Sequence, residues 1–196
     1  TSQEPHLLVP WLARIPMHST RYGIAIGEDR ILTTESLVRN HRLVELRRVR
    51  KGEKIPTRVL LADPQVNLAL LAVPSDRGLG EITPVPLASS LPRQAQVEVY
   101  QFDETRQMQS GSAEILQVAV SRLPSAPHSS LTATVLTELN VGRTGAPVIS
   151  EGRIGGLIMT HNSATRVGAL LPSPVLRDFI ARSESEPYPG FASAGF

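Results

Sequence analysis

The chain has 196 residues, of which 41% are hydrophobic and 19% are charged, and its formal net charge is +2. This composition excludes a disordered or fibrous chain and predicts a soluble globular protein with one or two small cores. The absence of cysteine excludes disulfides and thiolate metal sites. No apolar run approaches the roughly 20 residues that span a bilayer, so we expect no membrane insertion by this chain.

Short β-rich runs follow one another along the chain, separated by Pro, Gly, Asn and Asp. Runs at this spacing predict an all-β fold of antiparallel strands, arranged as barrels or a sandwich. One segment, residues 173–184, instead has the periodicity of a helix, and we expect Ser173 to cap it ahead of Pro174. The candidate strands are YGIAIG, RILTT, LVELRRV, TRVLLA, LALLAV, QVEVYQF, SAEILQV, TATVLT, APVIS, RIGGLIM and RVGALLP.

The basic residues are densest between Arg39 and Arg58. Of the 20 basic residues in the chain, 18 are arginine. Since a charged run usually lies on a solvated strand face, we interpret this segment as surface, with a polyanion site as the alternative. We expect no nucleic-acid partner.

A Pro- and Ser-containing bridge, residues 84–92, divides the candidate strands roughly in half. The bridge indicates two similar units joined by a short linker. We therefore predict an N-terminal β-barrel over residues 1–86, a C-terminal β-barrel with its closing helix over 87–184, and a tail over 185–196.

Residues 140–150, NVGRTGAPVIS, have the form of a loop that displays one side chain, because glycines flank the hydroxyl of Thr144. The loop resembles the G-[DN]-S-G-G-P segment that holds the nucleophilic serine of trypsin-like proteases. Further stretches in matching order extend the resemblance to the HtrA (DegP-like) branch of those proteases. They are GEDRILTTESLV (27–38), ADPQVNLALLAV (62–73), the second-barrel entry (85–117) and RVGALLPSPVLRDFI after the loop.

This resemblance implies two six-stranded antiparallel β-barrels with a C-terminal helix. It also places Ser36, Asn67 and Thr144 where the family has its catalytic histidine, aspartate and serine. A hydroxyl attacks near neutral pH only if a neighbouring imidazole, tuned carboxylate or amine takes its proton. Ser36 and Asn67 offer none of these, so we predict an inactive, HtrA-like pseudoprotease that binds peptides or proteins or works in assembly.

Two groups of residues keep expected binding roles under this interpretation. Gly142 and Thr144 can still present backbone N–H groups as an oxyanion hole, although Arg143 stands where the family has asparagine or aspartate. The strand after the loop borders the cleft between the barrels and is expected to pair with an extended peptide or protein ligand. The residues expected to contact this ligand are Ile158, Met159, Thr160 and His161.

Two other functions stay open. One is a serine-protease-like hydrolase that uses Thr144 as its nucleophile with a non-standard base, for which His161 and His41 are the candidates. The other is a purely structural scaffold whose cleft is closed. We expect no cofactor and no metal site, because no second histidine or carboxylate stands at metal-ligand spacing from His161.

The tail, SEPYPGFASAGF, resembles the junction through which HtrA proteins pass into a PDZ domain. We therefore expect a PDZ domain to follow it in the parent protein. The same resemblance favours a periplasmic or other extracytoplasmic location and allows a homo-oligomer.

Overall fold

The computed structural model describes residues 1–2, 17–48, 52–80, 82–123 and 128–191. The first β unit is an antiparallel sheet in which the strands lie in the order β1-β2-β5-β4-β3. A short helix, α1 (Glu35–Val38), follows β2. The strands are β1 (Ile24–Ala25), β2 (Arg30–Thr33), β3 (Val44–Arg47), β4 (Lys54–Asp63) and β5 (Leu68–Ala72).

The second β unit is a closed antiparallel barrel with the strand order β10-β11-β8-β7-β6-β9. Helix α2 (Ser173–Arg182) follows its last strand. The strands are β6 (Gln96–Phe102), β7 (Met108–Arg122), β8 (Ser129–Thr137), β9 (Ala146–Ser150), β10 (Arg153–Asn162) and β11 (Val167–Pro172).

The predicted trypsin-like architecture of two antiparallel β units and a C-terminal helix is confirmed. The second unit has the six strands expected of it, whereas the first has five strands within the described residues. Part of the predicted first barrel, residues 3–16, and the end of the predicted tail, 192–196, lie outside the described residues.

Apolar side chains alternate along the strands and form three clusters. In β6, for example, Val97 and Val99 face the barrel interior while Gln96 and Glu98 face solvent, as a two-residue strand period requires. One cluster fills the barrel and another fills the concave side of the first sheet. The third cluster joins Leu32 and Leu68 of the first unit to β10, β11 and α2, so it fixes the two units against each other.

The predicted linker is bonded to the second barrel. Ala88 N–H donates to the carbonyl of Ile154 (2.9 Å), and Ile154 N–H donates to the carbonyl of Pro86 (2.8 Å). The start of β10 therefore holds the connection between the two units in place. The predicted domain boundary at residues 86 and 87 falls within this bonded segment.

The start of α2 differs from the prediction. Ser173 is the first helical residue, Pro172 occupies the capping position, and no side chain caps the helix. Ser173 is completely buried, and its hydroxyl has no partner among the described residues, so the expected serine cap is wrong. The helix is held instead by its apolar face, Val175, Leu176 and Phe179, which packs in the cluster between the two units.

Among the helices of the described ranges, none is long and apolar enough to cross a bilayer.

Candidate functional site

Asn67 and Ser36 lie in direct contact. The backbone N–H of Ser36 donates to Oδ1 of Asn67 (2.9 Å), and that of Glu35 donates to the carbonyl of Asn67 (3.2 Å). Asn67 follows the β4–β5 turn with φ of 54°, a left-handed conformation that asparagine adopts more readily than most residues. The side-chain oxygen and the backbone carbonyl of this buried asparagine therefore bond the β4–β5 turn to the first residues of α1.

Neither residue presents a proton acceptor to a neighbouring hydroxyl. Oδ1 of Asn67 is occupied by the Ser36 N–H, which identifies the other amide atom as the nitrogen. That nitrogen, Nδ2, is buried and donates to no group in the described part of the chain. The Ser36 hydroxyl is exposed and makes one long hydrogen bond, to Oγ1 of Thr34 (3.4 Å).

Residues 142–145 form the loop that carries Thr144. Gly145 has φ of 91°, a conformation that favours glycine, and its N–H donates to the carbonyl of Ile158 (2.7 Å). A Cβ at Gly145 would lie 3.4 Å from Cγ2 of Thr34. The loop of the second unit therefore lies against the segment of the first unit that leads into Ser36. We name Ser36, Asn67 and residues 142–145 together the triad-position junction.

The expected oxyanion-hole donors are free of protein acceptors. The backbone N–H groups of Gly142, Arg143 and Thr144 make no hydrogen bond within the described residues. Ala146, which replaces a family glycine, begins β9 without a positive φ, so its Cβ causes no backbone strain. The loop therefore has a glycine where its backbone is left-handed, and three consecutive backbone N–H groups that donate to no acceptor in the described chain.

A cavity of about 260 Å³ opens beside Thr144. The loop forms one wall and the end of β10 forms the other. The cavity therefore brings the expected oxyanion-hole residues next to the expected peptide-binding residues, which lie 14 or more positions further along the chain. The lining residues are Val141, Gly142, Arg143, Thr144, Ile158, Met159, Thr160 and His161.

His161 is fixed in one tautomer. The backbone N–H of Val141 donates to its Nδ1 (3.3 Å), so Nδ1 is the acceptor and the neutral ring carries its proton on Nε2. Nε2 is buried and has no partner in the described ranges. His161 has therefore already used its only basic nitrogen, which argues against it as a base for Thr144. The sequence contained no signal for this contact, since Val141 and His161 meet only through the fold.

His41, the other candidate base, makes a local contact. Its Nδ1 donates to the carbonyl of Val38 (2.7 Å), the last residue of α1. The ring is thus tied to the end of α1 away from Ser36, which lies in the first turn of that helix.

Only part of the predicted peptide-binding strand has an open edge. β10 pairs with β9 as far as Ile158, opposite Ala146, and with β11 on its other side. The carbonyl of Ile158 accepts the Gly145 N–H, so its main chain is engaged on both sides. From Met159 onward, no strand of the described chain pairs on the β9 side. Main-chain pairing is therefore open at Met159, Thr160 and His161, while Ile158 serves as a wall of the cavity.

A second polar junction lies where the chain leaves α2. The Tyr188 hydroxyl donates to Oδ2 of Asp63 (2.6 Å), and Gln65 N–H donates to Oδ1 of the same carboxylate (2.7 Å). Phe191 N–H donates to Oε1 of Gln65 (3.0 Å). Burial, followed by the hydrogen bond to Asp63, raises the pKa of Tyr188 well above its usual value. We name these four residues the tail junction, because they hold residues 188–191 to the β4–β5 turn.

No group of three or more His, Cys, Asp or Glu side chains within the described ranges is placed to hold a metal ion.

Comparisons with known proteins identify the domain family and the fold of the chain. The profile of the trypsin-like peptidase domain family matches residues 22–157. Protease Do-like 4, mitochondrial, of Arabidopsis thaliana is 24% identical over 196 aligned residues, which cover 96% of this chain and 37% of that protein. The chain spans between 32% and 40% of the length of the curated relatives it matches.

Two solved structures show the same fold at low identity. The active form of the Rv3671c protease from M. tuberculosis superposes with a TM-score of 0.70 at 20% identity, covering 88% of this chain and 75% of that one. The HtrA-type protease AlgW, solved with a decapeptide, gives a TM-score of 0.69 at 13% identity, covering 84% of this chain and 51% of that one. The family profile spans the first sheet, the loop that carries Thr144 and the first half of β10, and on that ground the chain belongs to the trypsin-like peptidase domain family.

Proposed function

We propose that this domain binds extended peptides without hydrolysing them. The observation that supports the proposal is the hydrogen bond between Ser36 and Asn67, the two residues that the resemblance assigns to the family's histidine and aspartate positions, because neither of them is a base. The backbone framework of a trypsin-like site is present, whereas the group that would take a proton from Thr144 is missing.

The open end of β10 supports the binding role. An extended peptide can add to Met159, Thr160 and His161 as an antiparallel strand, since the β9 side of this segment is unpaired in the described chain. This pairing uses main-chain atoms, so it does not depend on the substituted side chains. The AlgW structure, solved with a decapeptide, shows that a protease of similar fold accommodates a peptide.

The cavity beside Thr144 argues against the scaffold alternative. A purely structural domain is expected to fill or close its cleft, whereas here a space of about 260 Å³ adjoins the open strand edge. The backbone N–H groups of Gly142, which is exposed, and Thr144, which is half-exposed, line this cavity and donate to no acceptor in the described chain, so they are available to a ligand.

The experiment is a titration with extended peptides, followed by the backbone amide shifts of residues 155–162. We expect dissociation constants that are micromolar or weaker, about −8 kcal/mol or less favourable, because little preordering assists the ligand. The matched control is the same peptide with alternate amides N-methylated, which blocks strand pairing and keeps the side chains. Shifts confined to other surfaces, or equal binding of the methylated peptide, would contradict the proposal.

A further inference from the structure

The cavity beside Thr144 is rich in hydrogen-bond donors. Its lining includes one guanidinium, Arg143, and one imidazole, His161, and it includes no carboxylate. Three backbone N–H groups, those of residues 142–144, also lack protein acceptors in the described chain. Such a wall favours an occupant that brings oxygen acceptors and negative charge.

Arg143 differs from the paired arginines elsewhere in the described chain. The other two half-exposed arginines of the described chain, Arg48 and Arg182, form ion pairs with Glu53 and Asp178, whereas most of the exposed arginines form none. Arg143 is only half-exposed, and no carboxylate in the described ranges forms an ion pair with it. The cation beside Thr144 is thus left for a partner that the chain itself does not supply.

His161 adds a ring N–H donor of fixed orientation to the positive charge of Arg143. Because the Val141 N–H donates to Nδ1, the neutral ring carries its N–H on Nε2, which is buried and has no partner among the described residues, and the residue itself lines the cavity. A donor that is held in one orientation and shielded from water discriminates strongly between ligands that accept a hydrogen bond and ligands that do not.

From these three observations, and resting on the proposed function, we propose that the cavity binds a carboxylate of the peptide. The carboxylate belongs either to a glutamate side chain or to the C-terminus of the peptide. A peptide strand added at Met159 and Thr160 runs past the mouth of the cavity, so one of its side chains or its end enters between Arg143 and His161. The space of about 260 Å³ accommodates a glutamate side chain.

The test compares four peptides of otherwise identical sequence. Three have blocked ends and carry Glu, Gln or Val at one position that is moved along the peptide in turn. The fourth carries Gln and ends in a free carboxylate at that position. We expect the Glu peptide or the free-ended peptide to bind about tenfold more tightly than the blocked Gln peptide at low salt, and which of the two does so identifies the source of the carboxylate.

Variants assign the preference to the cavity. Arg143→Gln is expected to bring the carboxylate-to-Gln affinity ratio close to one, and Arg143→Lys to keep most of it. His161→Phe should lower the ratio in part, because it removes the Nε2–H donor. Arg58→Gln, which makes the same charge change at an exposed position on β4 of the other unit, is the matched control and should keep the ratio.

The outcomes separate the two proposals. Equal affinity of the acidic and Gln peptides, or tightest binding of the Val peptide, would overturn the carboxylate pocket while amide shifts in residues 155–162 still supported peptide binding. An unchanged ratio in Arg143→Gln would likewise overturn the pocket. Absence of shifts with every peptide would overturn the proposed function and the pocket with it.

Discussion

The first β unit makes two polar junctions, one with the loop of the second unit and one with the tail after α2, and these two junctions use their hydrogen-bonding groups differently. At the tail junction, both oxygens of Asp63 are bonded, by Tyr188 and by Gln65, and the Gln65 side chain in turn accepts from Phe191. At the triad-position junction, Nδ2 of Asn67 has no partner among the described residues, and neither has Nε2 of His161 in the adjoining cavity.

This difference separates a structural role from a binding role. Buried polar groups that are all bonded rigidify a fold, whereas unused donors lower its stability unless a ligand engages them. The tail junction therefore contributes to stability in the free protein, and the triad-position junction is held mainly by backbone contacts and by the apolar cluster below it.

The largest effect is expected for Asn67→Asp. The aspartate would be completely buried, with one oxygen bonded by the Ser36 N–H and the other in place of an amide nitrogen that has no partner in the described chain. An uncompensated buried charge should lower the free energy of unfolding by about 3 kcal/mol at pH 7, measured by urea unfolding.

Ser36→His supplies a control for this prediction. An imidazole N–H at Ser36 can donate to the second oxygen, so Ser36→His/Asn67→Asp should be more stable than the sum of the single changes predicts, by about 1 kcal/mol or more. Additive effects in this double-mutant cycle would show that the two positions do not keep the geometry of a triad.

At the tail junction, Tyr188→Phe should lower the free energy of unfolding by about 2 kcal/mol. The change removes one hydroxyl and leaves the buried Asp63 carboxylate with Gln65 as its remaining donor. The matched control is Tyr100→Phe, which also removes a tyrosine–carboxylate hydrogen bond, to Glu98, but on the exposed surface. The control should change stability by less than about 0.5 kcal/mol. Equal losses of stability in the two variants would contradict the distinction between the tail junction and a surface hydrogen bond.

The pH dependence of the tail junction sharpens the same comparison. The pKa of Tyr188 is raised in the folded state, by burial and then by Asp63, above the value near 10 of an unfolded tyrosine. The folded state therefore holds the phenolic proton more tightly, and this contribution to stability is complete below about pH 10 and is lost as the pH rises further.

The stability difference between wild type and Tyr188→Phe should be constant from pH 7 to about 9.5. It should then shrink as the pH rises further, by less than the limit of about 1.4 kcal/mol per pH unit, because solvent screens the half-exposed hydroxyl. A difference that stays constant to pH 11 would show that the hydroxyl titrates normally.

The parts of this molecule that could be predicted from the sequence are those set by local pattern and segment order. Alternating apolar residues indicated the strands, and the order of four stretches indicated the family. Ser36 and Asn67 are in contact, and their assignment to the family's histidine and aspartate positions stays a prediction from the resemblance. The tail junction could not be predicted, because Tyr188 and Asp63 are 125 residues apart and nothing near either marks the other.

Errors arose where tertiary packing overrides a local preference. A serine before proline often caps a helix, but here the helix begins at Ser173 itself, so Pro172 occupies the capping position and the Ser173 side chain is buried with its apolar neighbours. Similarly, the sequence assigned one role to the whole end of β10, whereas pairing with β9 closes Ile158 and leaves the following residues open. Whether a strand edge is free depends on where the neighbouring strand begins and ends. Here the neighbour is β9, which begins at Ala146, directly after the loop of residues 142–145.

The smallest effect is expected at Thr144, the residue that the resemblance places where a protease has its nucleophile. Thr144→Ala should leave the hydrolysis of casein and of p-nitrophenyl esters unchanged from the background of wild type. This expectation rests on the proposed function: Ser36 and Asn67 are not bases, and Nδ1 of His161 already accepts a backbone N–H, so none of these three described residues takes the Thr144 proton. Triad residues act as a unit, so Thr144→Ser alone should also be silent, and only Ser36→His/Asn67→Asp/Thr144→Ser should show a trace of turnover.

Turnover by purified wild type that disappears in Thr144→Ala would establish the threonine hydrolase instead. Turnover that is equal in both proteins would come from a contaminant, and an active trypsin-like protease assayed in parallel sets the detection limit.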